Sequence, residues 1–371
     1  MKTSFQIGKI IGIPIKVHFS FIIILALFAW AFAAESFSIF GFTIGFGGLP
    51  ISLGVQFLLG IIIATLLFVC VLLHELGHSY ITQKFGYKIN GITLFIFGGV
   101  SQTEEIPRNP KQEMSIAIVG PAVSVLIGAV FYFVYIFINQ FSGSLSLQII
   151  SISFGTLTFY NLLLAGFNLI PAFPIDGGRV LRAGLAMRMD YGKATKVASG
   201  FGKGVAIFMA VFGIFYNLWL IFIAIFIYFG ASQEQQALGV SLALENVKVK
   251  DIMTPNVESV SPDMSLRKLS DYMFAHKHLG YPVIENDKIV GTVSVLDLRG
   301  VGKDRQDSVL IKDVMHRDFL SISPEDDAID AFKTMARNHN DRLIVQNNGQ
   351  ILGIISWSDV LHAIKMKENQ T

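Results

Sequence analysis

The stretch IIIATLLFVCVLLHELGH, residues 61–78, runs from an apolar segment directly into two histidines and a glutamate. On a helix, positions four apart lie on one face, so His74 and His78 can direct their imidazoles to a single metal ion. Glu75 projects beside them, where its carboxylate can accept a proton from water whose pKa zinc lowers toward about 7. The stretch therefore predicts a zinc site with a general base on an apolar helix.

The apolar context distinguishes this motif from the same pentapeptide in soluble helices, where it is usually a solvated polar face. Imidazole and charged side chains at membrane depth are costly and usually functional. The alternative is that the helix simply reaches the cytosolic interface at His74, where polar residues are ordinary. A third ligand decides between the two, because a catalytic zinc needs three protein ligands and one open position.

The segment NLIPAFPIDGGR, residues 168–179, can supply that ligand. Pro171 and Pro174 break regular backbone, which is tolerated at membrane depth only where protein buries it or water reaches it. Asp176 in such a bend can complete a set of two histidines and one aspartate. An isolated Asp-Gly-Gly is more often a turn, but beside the His-Glu pair the ligand interpretation is favoured.

The composition indicates a membrane protein. Of 371 residues, 52% are hydrophobic and 15% are charged, whereas a soluble domain usually carries about 25% charge. The net charge of +2 gives no reason to expect a nucleic acid partner, and the single cysteine, Cys70, excludes an intramolecular disulfide and a Cys-rich zinc site. A membrane helix needs roughly 20 apolar residues. Six segments come close: Val17–Ala34, Ile51–Leu73, Ser115–Ile138, Ile149–Leu169, Ala194–Phe212 and Ile214–Gly230.

The last two segments are almost contiguous, which favours a tight helical hairpin over one long bent helix. Lys and Arg residues flank the chain start and fill the second and fourth connections, whereas residues 35–50 and 139–148 contain none. This alternation predicts a multi-pass protein of the cell membrane with both termini in the cytosol. The histidine motif and Asp176 then lie on the same side, so we expect an active site near the cytosolic leaflet.

Over roughly residues 1–230 the chain resembles the site-2 protease family of polytopic membrane metalloproteases. The resemblance lies in His74–His78 and in Asn168, Pro171, Pro174 and Asp176-Gly177, which look like the family's second signature. Phe97-Gly98-Gly99-Val100 resembles a family hairpin that is thought to guide the substrate as an added strand. Gly120-Pro121 resembles another landmark, which usually continues to Asn; this chain has Ser124, to which we assign no role.

The resemblance implies cleavage of a peptide bond within or near a transmembrane segment of a substrate protein, with the need for an earlier cut left open. It implies one catalytic zinc per chain, held by His74, His78 and Asp176, with Glu75 as the base. It also implies that Asn168 positions the substrate or stabilises an oxyanion, which can contribute about 3 kcal/mol. The alternative for Asn168 is a helix-end cap.

After residue 230 the composition changes. A polar stretch containing Gln and Ala, residues 231–246, predicts a linker with helical character. The following soluble α/β segment repeats itself at an offset of 62 residues, and each copy reads as strand, helix, strand, strand, helix. The repeated pairs are Asp251-Ile252-Met253 with Asp313-Val314-Met315, Ser261-Pro262 with Ser323-Pro324, and Gly291–Ser294 plus Asp297 with Gly353–Ser356 plus Asp359.

The repeat resembles a tandem pair of CBS domains, which we place at residues 247–308 and 309–371. Such pairs bind adenine nucleotides (ATP, ADP or AMP), which implies Asp297 and Asp359 at the ribose and Ser294 and Ser356 at the phosphates. Alternatively, the pair binds nothing, serves as a dimer platform, and uses the aspartates to cap helices. Four histidines are expected to be surface residues rather than ligands: His276, His278, His316 and His339.

The sequence thus predicts a polytopic α-helical membrane protein with about six transmembrane helices, followed by a soluble α/β tandem CBS module. The favoured function is an intramembrane zinc metalloprotease regulated by an adenine nucleotide, and a homodimer through the CBS domains is compatible with it. The alternative is a CBS-regulated metal-ion transporter or channel that passes a cation along buried His and Asp side chains. A transporter has no evident need for a carboxylate at Glu75.

Overall fold

The computed structural model describes residues 4–96, 98–103, 108–141, 143–255, 257–286, 288–338 and 340–368. Phe97 of the predicted hairpin and His339 lie outside these ranges. The chain divides into two compact units, Met1–Gln236 and Ala237–Thr371. We call them the membrane unit and the second unit, and each is described by itself.

The membrane unit begins with a hairpin of two strands that leads into an apolar helix. Strand β2 alternates between inward and outward residues, and Ile13, Ile15 and Val17 face inward, as a half-buried strand requires. A second small hairpin precedes the long helix that carries the histidine motif. These elements are β1 (Ser4–Ile10), β2 (Ile13–His18), α1 (Ser20–Ala34), β3 (Phe37–Ile39), β4 (Phe42–Ile44) and α2 (Leu53–Lys84).

The remainder of the membrane unit consists of one more hairpin and five helices. Asn109 caps the first of these helices by accepting a hydrogen bond from the Lys111 N–H at 3.0 Å, and Pro110 occupies its first turn. The elements are β5 (Ile89–Phe95), β6 (Gly98–Thr103), α3 (Pro110–Asn139), α4 (Leu145–Asn168), α5 (Asp176–Ala186), α6 (Tyr191–Tyr216) and α7 (Leu218–Ala243).

Strands of the first and third hairpins form one sheet that lies against the histidine helix. Its order is β1-β2-β5-β6, with β2 and β5 parallel. Ile13, Ile15 and Ile92 form a buried cluster with Leu76 of α2. Because Leu76 lies within the histidine motif, this packing brings the sheet to the level of the predicted metal site.

Among the described residues, five helices are long and apolar enough to cross a membrane: α2, α3, α4, α6 and α7. The six predicted segments are largely helical, but the sixth begins in the last turn of α6 and crosses Asn217 before it continues in α7, and the first contains the shortest helix. Helix α1 has 15 residues, because Val17 belongs to β2, where it pairs with Phe5 and Leu94. The chain is therefore a multi-pass membrane protein, as its composition predicts.

Helices α6 and α7 form the tight hairpin that the sequence favours. Asn217 between them has extended backbone angles. The Lys203 ammonium of α6 donates to Gln235 Oε1 of α7 at 3.0 Å and lies over the Tyr228 ring. These contacts place α6 and α7 side by side, so the two segments do not form one long bent helix. The predicted linker is largely helical, since α7 continues to Ala243.

The second unit shows the predicted duplication. In the first copy, the opening strand is reduced to a bridge between Val260 and Val283; its counterpart in the second copy is a short strand at Ile322, paired with Val345. The elements are α8 (Val249–Ile252), β7 (Thr254–Pro255), α9 (Leu266–His276), β8 (Gly280–Glu285), β9 (Lys288–Ser294), α10 (Val295–Arg299), β10 (Ser321–Ile322), α11 (Ala328–Asn338), β11 (Arg342–Asn347), β12 (Gln350–Ser356) and α12 (Trp357–Glu368).

The first residues of each copy pair with a strand of the other copy. Thr254 of the first copy pairs with Ile354 in β12 of the second. His316, the counterpart of Thr254 at the offset of 62, pairs with Thr292 in β9 of the first copy. Each copy therefore contributes to the sheet of the other.

Candidate metal centre

The histidine motif and Asp176 meet inside the membrane unit. His74 and His78 are buried, with 3% and 6% of their surfaces exposed. Their Nε2 atoms lie 3.1 Å apart. Asp176, the first residue of α5, places Oδ2 at 3.2 Å from His74 Nε2 and at 3.0 Å from His78 Nε2. Three atoms from two distant parts of the chain thus converge on one point.

The hydrogen bonds on the other ring nitrogens define which atoms carry protons. His78 Nδ1 lies 2.7 Å from the carbonyl oxygen of Ile116, and because a carbonyl only accepts, Nδ1 carries the proton. His74 Nδ1 lies 2.9 Å from Ser124 Oγ, to which we assign the same donation. When the rings are neutral, as metal ligands are, this assignment leaves the lone pairs of both Nε2 atoms directed toward Asp176.

This donor set fits a divalent cation. Two imidazole lone pairs and a carboxylate oxygen at 3.0–3.2 Å repel each other when no proton lies between them. In a tetrahedral zinc site with bonds of about 2.0–2.1 Å, neighbouring ligand atoms are about 3.3 Å apart. The observed spacing is close to this value. Outward-facing hydrogen bonds on the imidazoles are also what oriented metal ligands require.

Helix α3 leaves room for an ion at this point because residue 120 is glycine. A Cβ atom on Gly120 would overlap His78 Nε2 and lie 2.6 Å from His74 Nε2. Gly77 on α2 similarly faces α3, where an added Cβ would lie 3.0 Å from a Val123 methyl carbon. The helices approach so closely at these glycines that any side chain at position 120 would fill the space between the imidazoles.

Glu75 lies directly against β6. A Cβ atom on Gly99 would overlap the Glu75 Cγ and lie 3.0 Å from its Cδ. Ser79 Oγ lies 3.2 Å from Ser101 Oγ, which holds the same strand against the next turn of α2. Since β6 is the last strand in the order β1-β2-β5-β6, the strand that lies against Glu75 is an edge strand of this sheet.

Asn168 is the last residue of α4, before the loop that leads to Asp176. Its side-chain amide donates to the Leu164 carbonyl at 3.0 Å. This hydrogen bond joins two residues of the same helix that are one turn apart, and it decides between neither of the roles that the sequence left open, an oxyanion donor or a helix-end cap. A role of Asn168 at the reacting carbonyl stays a prediction.

The sequence analysis missed a second buried polar cluster, which we call the Arg182 cluster: Arg182, Glu113, Tyr191 and Glu234. The Arg182 Nε donates to Glu113 Oε1 at 2.9 Å and its Nη1 to Glu234 Oε1 at 2.5 Å. Tyr191 donates to Glu113 Oε2 at 3.0 Å. Burial lowers the pKa of Arg182, but the carboxylates of Glu113 and Glu234 offset this and hold it above its ordinary value. In the sequence, Arg182 counts only as one of the positive charges in the fourth connection, which predict the topology.

The second unit contains a cavity of about 560 Å³, within the usual range for small-ligand sites. Ser294 and Asp297 line it from the first copy, and Asp341 and Arg342 line it from the second. The structure thus brings one predicted Ser-Asp pair to a cavity between the copies. Ser356 and Asp359 are not among its lining residues.

Both predicted aspartates also cap helices. Asp297 Oδ2 accepts from the Ser294 N–H at 2.7 Å, and Asp359 Oδ2 accepts from the Ser356 N–H at 2.8 Å. The remaining oxygens meet equivalent positions of the repeat: His316 Nε2 lies 2.8 Å from Asp297 Oδ1, and the Thr254 hydroxyl donates to Asp359 Oδ1 at 3.3 Å. His316 is mostly exposed, as expected, but it lies on the cavity wall and contacts a predicted ligand residue, which the sequence analysis did not foresee.

Comparison with known proteins relates both units to described families. Residues 62–212 match peptidase family M50. Residues 249–303 and 311–366 each match the CBS domain.

Individual relatives extend the similarity along the chain. A zinc metalloprotease of Methanocaldococcus jannaschii is 38% identical over 369 residues, covering 99% of this chain and 98% of that protein. The Rip3 protein of Mycobacterium tuberculosis is 29% identical over 390 residues, covering 98% and 93%. Among solved structures, the site-2 protease from Methanocaldococcus jannaschii is 41% identical, covers 62% of this chain and 95% of that one, and has a TM-score of 0.43.

We expect Gly120→Ala to abolish zinc binding, because the new methyl group would occupy the space between the two imidazoles. Metal analysis of the purified protein measures this as a fall from one zinc per chain to a trace. Gly128→Ala on the same helix is the control, since its Cβ would meet the Leu162 side chain at 3.2 Å and the Asn161 Cβ at 3.5 Å, and neither residue belongs to the metal site. Full zinc occupancy in Gly120→Ala would contradict the placement of the ion.

Proposed function

The chain belongs to peptidase family M50, the site-2 protease family, joined to a tandem CBS pair, and we propose that it is an intramembrane zinc metalloendopeptidase. It hydrolyses peptide bonds in or near transmembrane segments of substrate proteins. The observation that carries this proposal is the convergence of two imidazole nitrogens and the Asp176 carboxylate beside Glu75. An apolar helix would otherwise have no reason to bury such a set.

His74, His78 and Asp176 would hold one zinc per chain. When bound, zinc polarises the scissile carbonyl and makes water a stronger nucleophile. Ser124 and the Ile116 carbonyl keep the imidazoles in the tautomer and orientation that ligation needs.

Glu75 accepts the proton that water loses as it attacks and then delivers a proton to the leaving amine. The edge of β6 holds the unwound substrate as an added strand, and the close contact of Gly99 with Glu75 brings that strand to the carboxylate. Asn168 donates from its amide to the oxygen of the carbonyl under attack, where negative charge develops.

The arrangement in the membrane follows from the charge distribution. Both termini and the second unit lie in the cytosol, and the active site lies near the cytosolic leaflet. The domains are residues 1–230 for the protease, 231–246 for the linker, and 247–308 and 309–371 for the two CBS domains.

The second unit regulates proteolysis by binding an adenine nucleotide, and a homodimer through the CBS domains is compatible with this role. Support for a ligand comes from the cavity between the two copies and from the carboxylate and hydroxyl of Asp297 and Ser294 on its wall. Asp297 would bind the ribose hydroxyls and Ser294 the phosphates; Asp359 and Ser356 hold the equivalent positions. Regulation requires that the nucleotide bind two states of the protein with different affinity.

We expect Glu75→Gln to retain one zinc per chain and to lower the rate of peptide cleavage at least about 100-fold, because the amide cannot accept the proton. The rate is measured on a panel of single-helix substrates in liposomes. His74→Ala is the comparison, since it should lose both zinc and activity. Cleavage at the normal rate by Glu75→Gln would refute the mechanism.

We expect Asp297→Asn to weaken binding of ATP, ADP or AMP at least about tenfold, the loss of one charged hydrogen bond, as measured by calorimetry. Asp251→Asn is the matched control, because it also removes a carboxylate that caps a helix, by accepting from the Lys248 N–H, but it does not line the cavity. Equal effects of the two variants would show that capping alone explains these aspartates. A proteolytic rate that does not respond to any of the three nucleotides would remove the regulatory claim.

A further inference from the structure

Helix α7 contacts the chain on both sides of the metal ligand Asp176. Before the ligand, Pro174 packs against Gly230, where an added Cβ would overlap the proline ring. After the ligand, Arg182 forms its ion pair with Glu234. Gly230 and Glu234 are one turn apart and therefore lie on the same face of α7. One helix face thus holds the whole segment that carries the metal ligand.

This segment is packed as a compact piece. An added Cβ on Gly177 would overlap the carbonyl of Ile170, and one on Gly178 would lie 2.5 Å from the Phe173 nitrogen. The Arg182 guanidinium lies 4.8 Å from the centre of the Phe173 ring. Because the loop and the start of α5 are in such close contact, a displacement of Arg182 carries Asp176 with it.

The two acidic arms of the Arg182 cluster differ in burial. Glu113 is fully buried, with 0% of its side chain exposed, whereas Glu234 is 27% exposed. Removing the partner of a fully buried charge is strongly destabilising, so the Glu113 arm is a permanent part of the fold. The half-buried Glu234 arm can be solvated when it separates, which makes it the releasable one.

We propose that α7 positions the metal ligand Asp176 through Gly230 and Glu234, and that the Glu234–Arg182 ion pair is the releasable contact through which a movement of α7 changes zinc binding. Helix α7 continues to Ala243, which packs in the core of the second unit with Val360 and Ile355. A change of state in the second unit can therefore act on Glu234 along a single helix. This last step depends on the nucleotide regulation proposed above.

The first test measures zinc retention in the full chain, by following zinc loss to a chelator. We expect Glu234→Gln to lose zinc at least about tenfold faster than the wild type, the usual effect of removing a residue that orients a ligand. Glu234→Asp, which keeps the charge, should restore most of the retention. Gln235→Ala is the matched control, since it breaks the neighbouring hydrogen bond to Lys203 and leaves Arg182 alone. Wild-type retention in Glu234→Gln would overturn the proposal.

A second pair of variants tests the other contact. Gly230→Ala presses a methyl group on Pro174 and should also accelerate zinc loss, whereas Gly239→Ala on the same helix meets open space and should not. If Gly230→Ala and Gly239→Ala retain zinc equally, the contact with Pro174 does not position Asp176 and the proposal fails.

The third measurement separates this proposal from the proposed regulation. The ratio of cleavage rates with and without ATP should differ from one in the wild type and in Gln235→Ala, and should approach one in Glu234→Gln. An equal response in wild type and Glu234→Gln would overturn the coupling through this ion pair. A ratio of one in the wild type would instead refute nucleotide regulation, and zinc retention would still decide whether α7 positions Asp176.

Discussion

The membrane unit depends on one constraint, the convergence of three potential metal-ligand atoms inside an apolar helical unit. His74, His78 and Asp176 bring two nitrogen atoms and one oxygen atom to within 3.0–3.2 Å of one another. In a medium of low polarity such an arrangement is costly unless a cation occupies its centre. The surrounding elements serve this arrangement: Ser124 and Ile116 fix the rings, and glycines let α3 and β6 approach.

Two glycines contribute as much to the site as the reactive groups do, because they have no side chain. Gly120 opens the space between the imidazoles, and Gly99 allows the edge strand to lie on the Glu75 carboxylate. Both positions are in regular secondary structure, where glycine weakens the element. The loss is tolerated because packing from α2 and the sheet surrounds each position. The site therefore depends in part on close contacts that only glycine permits, because it has a hydrogen atom in place of Cβ.

Local chemistry made much of this predictable, because the histidine spacing is a property of one helix and the apolar runs are properties of continuous segments. Asp176 could be inferred because topology places two helix ends on one side. Contacts between distant side chains were not accessible in the same way: Ser124 supports His74 although a family pattern suggested another residue, and Glu113 meets Arg182 across 69 positions. His316 reaches Asp297 only because the two repeats exchange strands, and the repeat pattern in the sequence does not reveal that exchange.

The exchange of strands between the two copies determines the order in which the second unit can fold. Because Thr254 pairs with β12 and His316 pairs with β9, neither copy has a complete sheet until the other is present. His316 follows Thr292 by 24 residues, so β9 receives its partner as soon as the second copy begins to emerge, whereas Thr254 must wait for Ile354, which lies 100 residues after it. A chain truncated before β12 would therefore keep the pairing at His316 but leave Thr254 without its partner strand.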